Sequence, residues 1–366
     1  MGTDDEPYNV EHVNQTGCIT MAERSKTING LAEGSGSHTK GLHVTYLGRW
    51  LTLFRVQSLP ISAVIASMGY LVVAETIIFR EVLGLVAVAA LAHAGINAQN
   101  DVMDYHTDLK NKQEDKPLIS GDITYKQATF ASSVLVGSSI VASVSIFPSA
   151  TPLFLVALTS AVIYNYYSSK SILSPVIFGV WGMSFSIFGA FVGSPTFNVV
   201  GILYGVSMGV LTSTFIFYGN VIDSESGERS IHSFLGGEAL DIDGETFFIP
   251  GDSSKEDEII ILFSFWTALL LLSSYTILGV SYSPIVIVAL MSFSAYKMIK
   301  DTCYPVKLDN EIKRDFIIYV ITTSSMTLGV FGIAAGIQIT LFIILLSILW
   351  AVFTMKIMYG RWFYFP

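Results

Sequence analysis

From residue 57 to the C-terminus the chain repeats one pattern, about twenty apolar residues followed by a turn or a polar stretch. Runs of that length, wound as helices, cross the roughly 30 Å hydrocarbon layer of a bilayer. Ten runs are present, at about 57–79, 82–99, 126–147, 151–167, 173–193, 198–219, 258–279, 282–298, 315–335 and 338–357. Phe147-Pro-Ser-Ala-Thr-Pro152 and Gly193-Ser-Pro195 separate neighbouring runs by turn residues alone, which predicts helical hairpins. Polar loops at 100–125, 168–172, 220–257 and 299–314 join the hairpins. The predicted fold class is all-α, a polytopic transmembrane bundle of nine to ten helices. Residues 1–48 are rich in Gly, Ser, Thr and charge without apolar periodicity, so they read as a mobile polar tail ahead of a membrane domain at 49–366.

Composition agrees with the pattern. The 366 residues are 52% hydrophobic and only 13% charged, with a mean hydropathy of +0.58. That balance excludes an ordinary soluble domain. The first apolar run follows some 50 polar residues, so no cleavable leader is expected. With ten spans both termini share a membrane face, and 19 of the 20 Lys and Arg residues fall on it; only Arg80 lies opposite. The positive-inside rule then makes this face cytosolic. Cys18 and Cys303 sit on that face, so no disulfide framework is expected. The net charge of −9 gives no support to a nucleic-acid partner. Asn14-Gln-Thr16 matches a glycosylation triplet, which in a cytosolic tail is a chance occurrence.

Chemistry concentrates where the second run ends. Asn100, Asp104 and Asp108 are spaced i, i+4 and i+8, one stripe on a 3.6-residue helix, with Asp101 beside it. Charged groups near a bilayer are costly, so such a stripe marks a functional site. Its oxygens suit a hard divalent cation, and Mg²⁺ commonly joins one or two carboxylates to substrate phosphates. Asp115-Lys-Pro-Leu-Ile-Ser-Gly-Asp-Ile-Thr124 follows, bringing Lys116 close to the acids, facing the same phosphate as the metals. A second acidic cluster follows the sixth run: Asn220 and Asp223 share a helical face, with Glu225, Glu228 and Arg229 nearby. Two carboxylate clusters on one membrane face suit a clamp around one diphosphate. His106, inside the first motif, reads as a solvent-facing residue, and His93 as a packed, hydrogen-bonded one.

These motifs resemble those of the UbiA superfamily of membrane prenyltransferases, from about residue 49 to about 299. The resemblance rests first on Asn-Asp-x-x-Asp-x-x-x-Asp, here Asn100, Asp101, Asp104 and Asp108, followed by Pro-Leu-x-Ser-Gly at Pro117 to Gly121. Members usually carry Arg where this chain has Lys116. Arg55-Val-Gln-Ser-Leu-Pro60 is similar to the family's Arg-rich entry to the first span. Tyr164-Asn-Tyr-Tyr-Ser-Ser-Lys170, with Gly179, Gly182 and Gly189 after it, is similar to its Tyr…Lys segment and glycine-bearing fifth span. The second motif departs from the menaquinone-branch pattern by about four residues, and Gly219 stands where an Asn is expected. Asp223 is its surest ligand, with Glu225 or Glu228 as a substitute.

The resemblance implies Mg²⁺-dependent transfer of a polyprenyl group from an isoprenyl diphosphate to an acceptor. It implies Asn100, Asp101, Asp104, Asp108 and Asp223 as metal ligands, with Asp104, Asp108, Asp223 and Lys170 as the catalytic set. It implies Arg55, Asn97, Lys116, Tyr164, Asn220 and Arg229 as substrate-binding residues. Asn97-x-x-Asn-Asp101 and the Asp-x-Glu-Ser fragment lean toward an aromatic, dihydroxynaphthoate- or hydroxybenzoate-like acceptor of quinone biosynthesis. The Pro-Leu-x-Ser-Gly loop fits equally well an archaeal enzyme that adds geranylgeranyl to a glycerol ether phosphate lipid. A terpene cyclase on the same scaffold suits the shortened second motif. A transporter predicts charges at the membrane midplane, whereas these clusters sit at helix ends.

Overall fold

The computed structural model describes residues 46–110, 113, 116–167, 173–196, 198–223, 238–242, 245–249, 306–307, 324, 327, 331 and 335–359. The chain divides into Met1–His43 and Val44–Pro366, and every described residue belongs to the second unit. The helices are α1 (Tyr46–Leu53), α2 (Leu59–Leu71), α3 (Phe79–Lys110), α4 (Tyr125–Ile146), α5 (Thr151–Tyr167), α6 (Ser174–Gly193), α7 (Val199–Asp223) and α8 (Ile337–Tyr359). Among the described residues four helices are long and apolar enough to cross a membrane: α3, α4, α6 and Val199–Phe217 of α7. The predicted runs 258–279 and 282–298 lie outside the described residues, as does 315–335 apart from four positions.

Local chemistry sets several boundaries. Thr124 caps α4 through a reciprocal capping box: its Oγ1 accepts from Gln127 N at 3.3 Å, while its own N–H donates to Gln127 Oε1 at 2.9 Å. The first predicted run, 57–79, is helical only as far as Leu71, where α2 ends; just ahead of it, α1 and the segment Val56–Leu71 meet at 52°. The hydroxyl of Tyr70 then accepts from Ile78 N at 2.9 Å and donates to Thr76 O at 3.2 Å, folding the connection beneath α2.

The core joins α2, α6 and α7. A Cβ on Gly189 would overlap the carbonyl oxygen of Ala66, and one on Gly69 would overlap that of Ser186. The α2 and α6 backbones are therefore in contact, the packing that small residues permit inside a membrane. Phe154, Phe185 and Phe188 fill the interior between α5 and α6 with almost no exposure.

The all-α bundle carries one addition that the run pattern did not predict. Glu238–Ile242 (β1) and Glu245–Ile249 (β2) pair antiparallel, and Val306–Lys307 (β3) adds to β2, giving the order β1-β2-β3. All three strands arise from segments predicted as polar loops.

Candidate active site

α3 carries the acidic stripe. Its 32 residues rise about 48 Å, while hydrocarbon spans about 30 Å, so about a dozen residues overshoot the apolar layer. Asn100, Asp101, Asp104 and Asp108 lie on this overshoot. They are helical rather than in a loop, as the i, i+4, i+8 spacing requires. Asp101 and Asp108 are buried, at 4% and 1% exposure.

Each acid faces a defined partner. Arg55 Nη2 donates to Asp101 Oδ1 at 3.1 Å. Asn100 Nδ2 donates to Asp104 Oδ2 at 2.8 Å, one turn along the same face. Lys116 Nζ reaches both carboxylate oxygens of Asp108 at 2.8 Å. The Asp108 side chain is almost fully enclosed and that of Lys116 about a quarter exposed. Burial pushes the Asp108 carboxyl above its ordinary pKa range; the Lys116 ammonium pulls it back down, and Asp101 repels it.

Folding of the 116–124 loop delivers Lys116. The Lys116 carbonyl accepts from Ile119 N and Ser120 N, both at 3.0 Å. Gly121 turns the chain at φ +79°, a conformation without steric cost only for glycine. Arg49 Nε pairs with Asp122 at 3.0 Å, holding α1 to this loop. A small apolar cluster of Leu53, Ala98, Leu118, Ile123 and Ala128 packs beneath it.

The remaining predicted residues divide. Asn97 donates through Nδ2 to the His93 carbonyl at 2.8 Å, one turn deeper on the same helical face. The Tyr164 ring lies 4.8 Å from that of Phe178. From there aromatic rings continue along α6, Phe178 to Trp181 at 4.7 Å and Trp181 to Phe185 at 5.9 Å. Asn220 and Asp223 occupy the last turn of α7, and their side chains lie outside the described residues, as do Lys170, Glu225, Glu228 and Arg229. His106 is exposed.

Two residues that sequence reasoning left unassigned join the site. Asn165 Nδ2 donates to Ile96 O at 3.0 Å and lies 3.5 Å from Gln99 Oε1. It fixes the end of α5, with Tyr164, beside the start of the acidic stripe. An amide beside Tyr164 at the end of an apolar run is the signal for it.

Carboxylates and amide oxygens are the ligands that Mg²⁺ takes, so the chemistry of the donor set fits that ion. Among the described residues no three His, Cys, Asp or Glu side chains converge. Asp101 and Asp108 face cations instead.

Residues 61–303 match the UbiA prenyltransferase family. The fold is shared with the UbiA homologue of Archaeoglobus fulgidus bound to GPP and Mg²⁺, at 13% identity and a TM-score of 0.56, covering 78% of this chain and 99% of that one. It is shared equally with the apo UbiA homologue of Aeropyrum pernix K1, at 15% identity, TM-score 0.56 and the same coverage. A digeranylgeranylglyceryl phosphate synthase is similar at 19% identity and a TM-score of 0.50, covering 85% of this chain and 99% of its own. No curated protein matches the sequence. The family match takes in the acidic stripe, the Lys116 loop, α5, α6 and α7, so the chain belongs to the UbiA prenyltransferase family and is a membrane-embedded prenyltransferase.

Proposed function

We propose that the acidic end of α3 receives the diphosphate of an isoprenyl donor and that the chain transfers its prenyl group to an aromatic acceptor of the kind used in quinone biosynthesis. The observation that carries this reading is the arrangement of Arg55 and Lys116 on Asp101 and Asp108. It gathers two cations and a file of carboxylates at one helix end just beyond the apolar layer. The structures of relatives bound to GPP or DMAPP with Mg²⁺ support it.

On this reading Asp104 and Asp108 of α3 and Asp223 of α7 hold Mg²⁺, with Asn100 and Asp101 beside them. The ion supplies positive charge against the diphosphate oxygens. Arg55, Lys116, Lys170 and Arg229 take further phosphate charge, and Asn97 and Asn220 contact substrate. The bond between C1 of the prenyl group and the bridging oxygen breaks, and its electron pair leaves with the diphosphate. A ring carbon of the acceptor bonds to C1 and its proton passes to water or a nearby base. Tyr164, Phe178 and Trp181 form the wall along which the prenyl chain lies, their faces stabilising the allylic cation while water is excluded.

The lipid acceptor is the second reading, favoured by the likeness to digeranylgeranylglyceryl phosphate synthase. A UbiA-type terpene cyclase is the third. We also assign residues 1–48 as a tail, 49–366 as the transferase domain, and the cytosol as the compartment of both termini and the acidic end. That orientation rests on the asymmetry of Lys and Arg.

The test uses purified protein with labelled geranylgeranyl or farnesyl diphosphate, Mg²⁺ and a panel of acceptors. Asp104→Asn and Asp108→Asn should each abolish Mg²⁺-dependent diphosphate release; full activity in both would end the site assignment. Product with dihydroxynaphthoate supports the aromatic reading, product with the glycerol ether phosphate the second. Hydrocarbon released without acceptor points to cyclisation.

A further inference from the structure

Arg55 is the one described non-glycine residue with positive φ, at φ 47° and ψ 46°. A side chain in that region is strained and persists only where its surroundings enforce it. The surroundings here are specific. The Arg55 carbonyl accepts from Ser58 N at 3.0 Å, from Ser58 Oγ at 3.0 Å and from His93 Nε2 at 3.3 Å. Ser62 Oγ lies 2.8 Å from His93 Nδ1, and Ser58 Oγ 3.2 Å from Nε2. A carbonyl only accepts, so the Arg55 contact assigns the proton to Nε2, and Nδ1 then accepts from the Ser62 hydroxyl. On the other side of the elbow, Trp350 Nε1 of α8 donates to Val56 O at 2.8 Å.

His93 also lies on the polar face of α3. It is one turn below Asn97 and two below Asp101, the acid that Arg55 reaches. One helix thus supplies both the anion that the guanidinium meets and the donor that holds the backbone behind it. We infer that His93 is a positioning residue: its Nε2–H fixes the left-handed Arg55 elbow, and the elbow aims the guanidinium at the diphosphate pocket beside Asp101. The inference rests on the proposal that Arg55 binds diphosphate. It explains an imidazole two turns inside an apolar run, where neither metal nor substrate has a claim on it.

The two ideas come apart in one experiment. Inorganic diphosphate with Mg²⁺ is the probe, titrated calorimetrically into the full-length chain in detergent. Thermal unfolding is followed in parallel to keep folding defects separate. Arg55→Ala should weaken binding about tenfold, the scale of one hydrogen bond to a charged group. His93→Leu should weaken it similarly in the native background and less than about twofold in the Arg55→Ala background, because a residue acting through Arg55 has nothing left to lose. His93→Gln, which returns an N–H donor to the same carbonyl, should recover most of the affinity. Equal losses from His93→Leu in both backgrounds, or a His93→Gln variant as weak as His93→Leu, overturn the positioning role alone. An Arg55→Ala variant with native affinity overturns the diphosphate reading itself. Should His93→Leu fail to fold, Ser62→Ala replaces it, since it frees the Nδ1 side and loosens the ring; native affinity there counts against the inference.

Discussion

Lys116→Ala is the perturbation whose cost the structure fixes best. Both Asp108 oxygens lie 2.8 Å from Lys116 Nζ, and the carboxylate side chain is only 2% exposed. Removing one partner of a buried pair strands the other, at about 3–5 kcal/mol. Asp108 has an escape, to take up a proton. For a carboxyl with a pKa of about 3.9 in the unfolded chain, protonation at pH 7 costs about 4 kcal/mol. Desolvation already pushes this group upward, and without the Lys116 ammonium to pull it back the variant's carboxyl takes up its proton at a higher pH than the native chain's. The sign follows from linkage: the native variant then holds a proton that the unfolded chain releases above its pKa of about 4, so stability rises as pH falls. The penalty should be about 3–4 kcal/mol at pH 7 and shrink towards pH 5, by at most about 1.4 kcal/mol per unit. Reversible unfolding in mixed micelles at pH 5, 6 and 7, wild type against variant, measures it. A penalty below about 1 kcal/mol that stays flat with pH would mean a solvated Asp108, as for a surface pair, and would refute the reasoning.

Three further expectations follow from the packing. Gly189→Val drives a side chain into the Ala66 carbonyl, and because that obstacle is backbone the loss of stability should reach or pass the upper end of about 1–3 kcal/mol typical of overpacking; a native unfolding midpoint would contradict the α2–α6 contact. Thr124→Ala breaks the capping box at the start of α4 and should cost about 1 kcal/mol, with Mg²⁺-dependent turnover retained, both read on the same preparation. Trp181→Ala opens the aromatic wall between Phe178 and Phe185 and should shift donor preference towards a chain about one isoprene unit longer. Competition between farnesyl and geranylgeranyl diphosphate measures this, and an unchanged ratio removes Trp181 from the groove.

Hydrophobic run length located the helices well wherever polar punctuation bounded them. The predicted 126–147 and 151–167 are Tyr125–Ile146 and Thr151–Tyr167 in the structure, because Thr124 caps one helix and Pro148 and Pro152 stand at the turn between them. The run 57–79 misled because length alone cannot see a backbone break. Its helix stops at Leu71, and the polar pair Glu75-Thr76 inside an otherwise apolar stretch was the warning. The hairpin of β1 and β2 was also written in the chain: two residues, Asp243-Gly244, lie between segments that mix apolar and polar positions, which is a strong short-range hairpin signal. Strands of five residues carry too little hydropathy to stand out among apolar runs four times their length.

The acids were legible because helical periodicity is local: Asn100, Asp104 and Asp108 share a face whatever else the chain does. Their partners were not, because ion pairing is decided by tertiary geometry. Nothing in the order of residues says that Arg55, 46 positions away, turns through a left-handed elbow to reach Asp101; the loop after the stripe does place Lys116 near the acids, but not which of them it grips, Asp108 by both oxygens. The pairs resolve the difficulty that the stripe posed at first sight. Carboxylates at 4% and 1% exposure are untenable alone beside hydrocarbon, and the two cations neutralise them without filling the site with apolar bulk. If the site receives a diphosphate with Mg²⁺, Arg55 and Lys116 would exchange a carboxylate partner for a phosphate one, and Asp101 and Asp108 would exchange those cations for the metal ion. On the proposed reading, the side chains that would meet a diphosphate and its Mg²⁺ are already held in place and partly desolvated by folding, which lowers what binding must still supply.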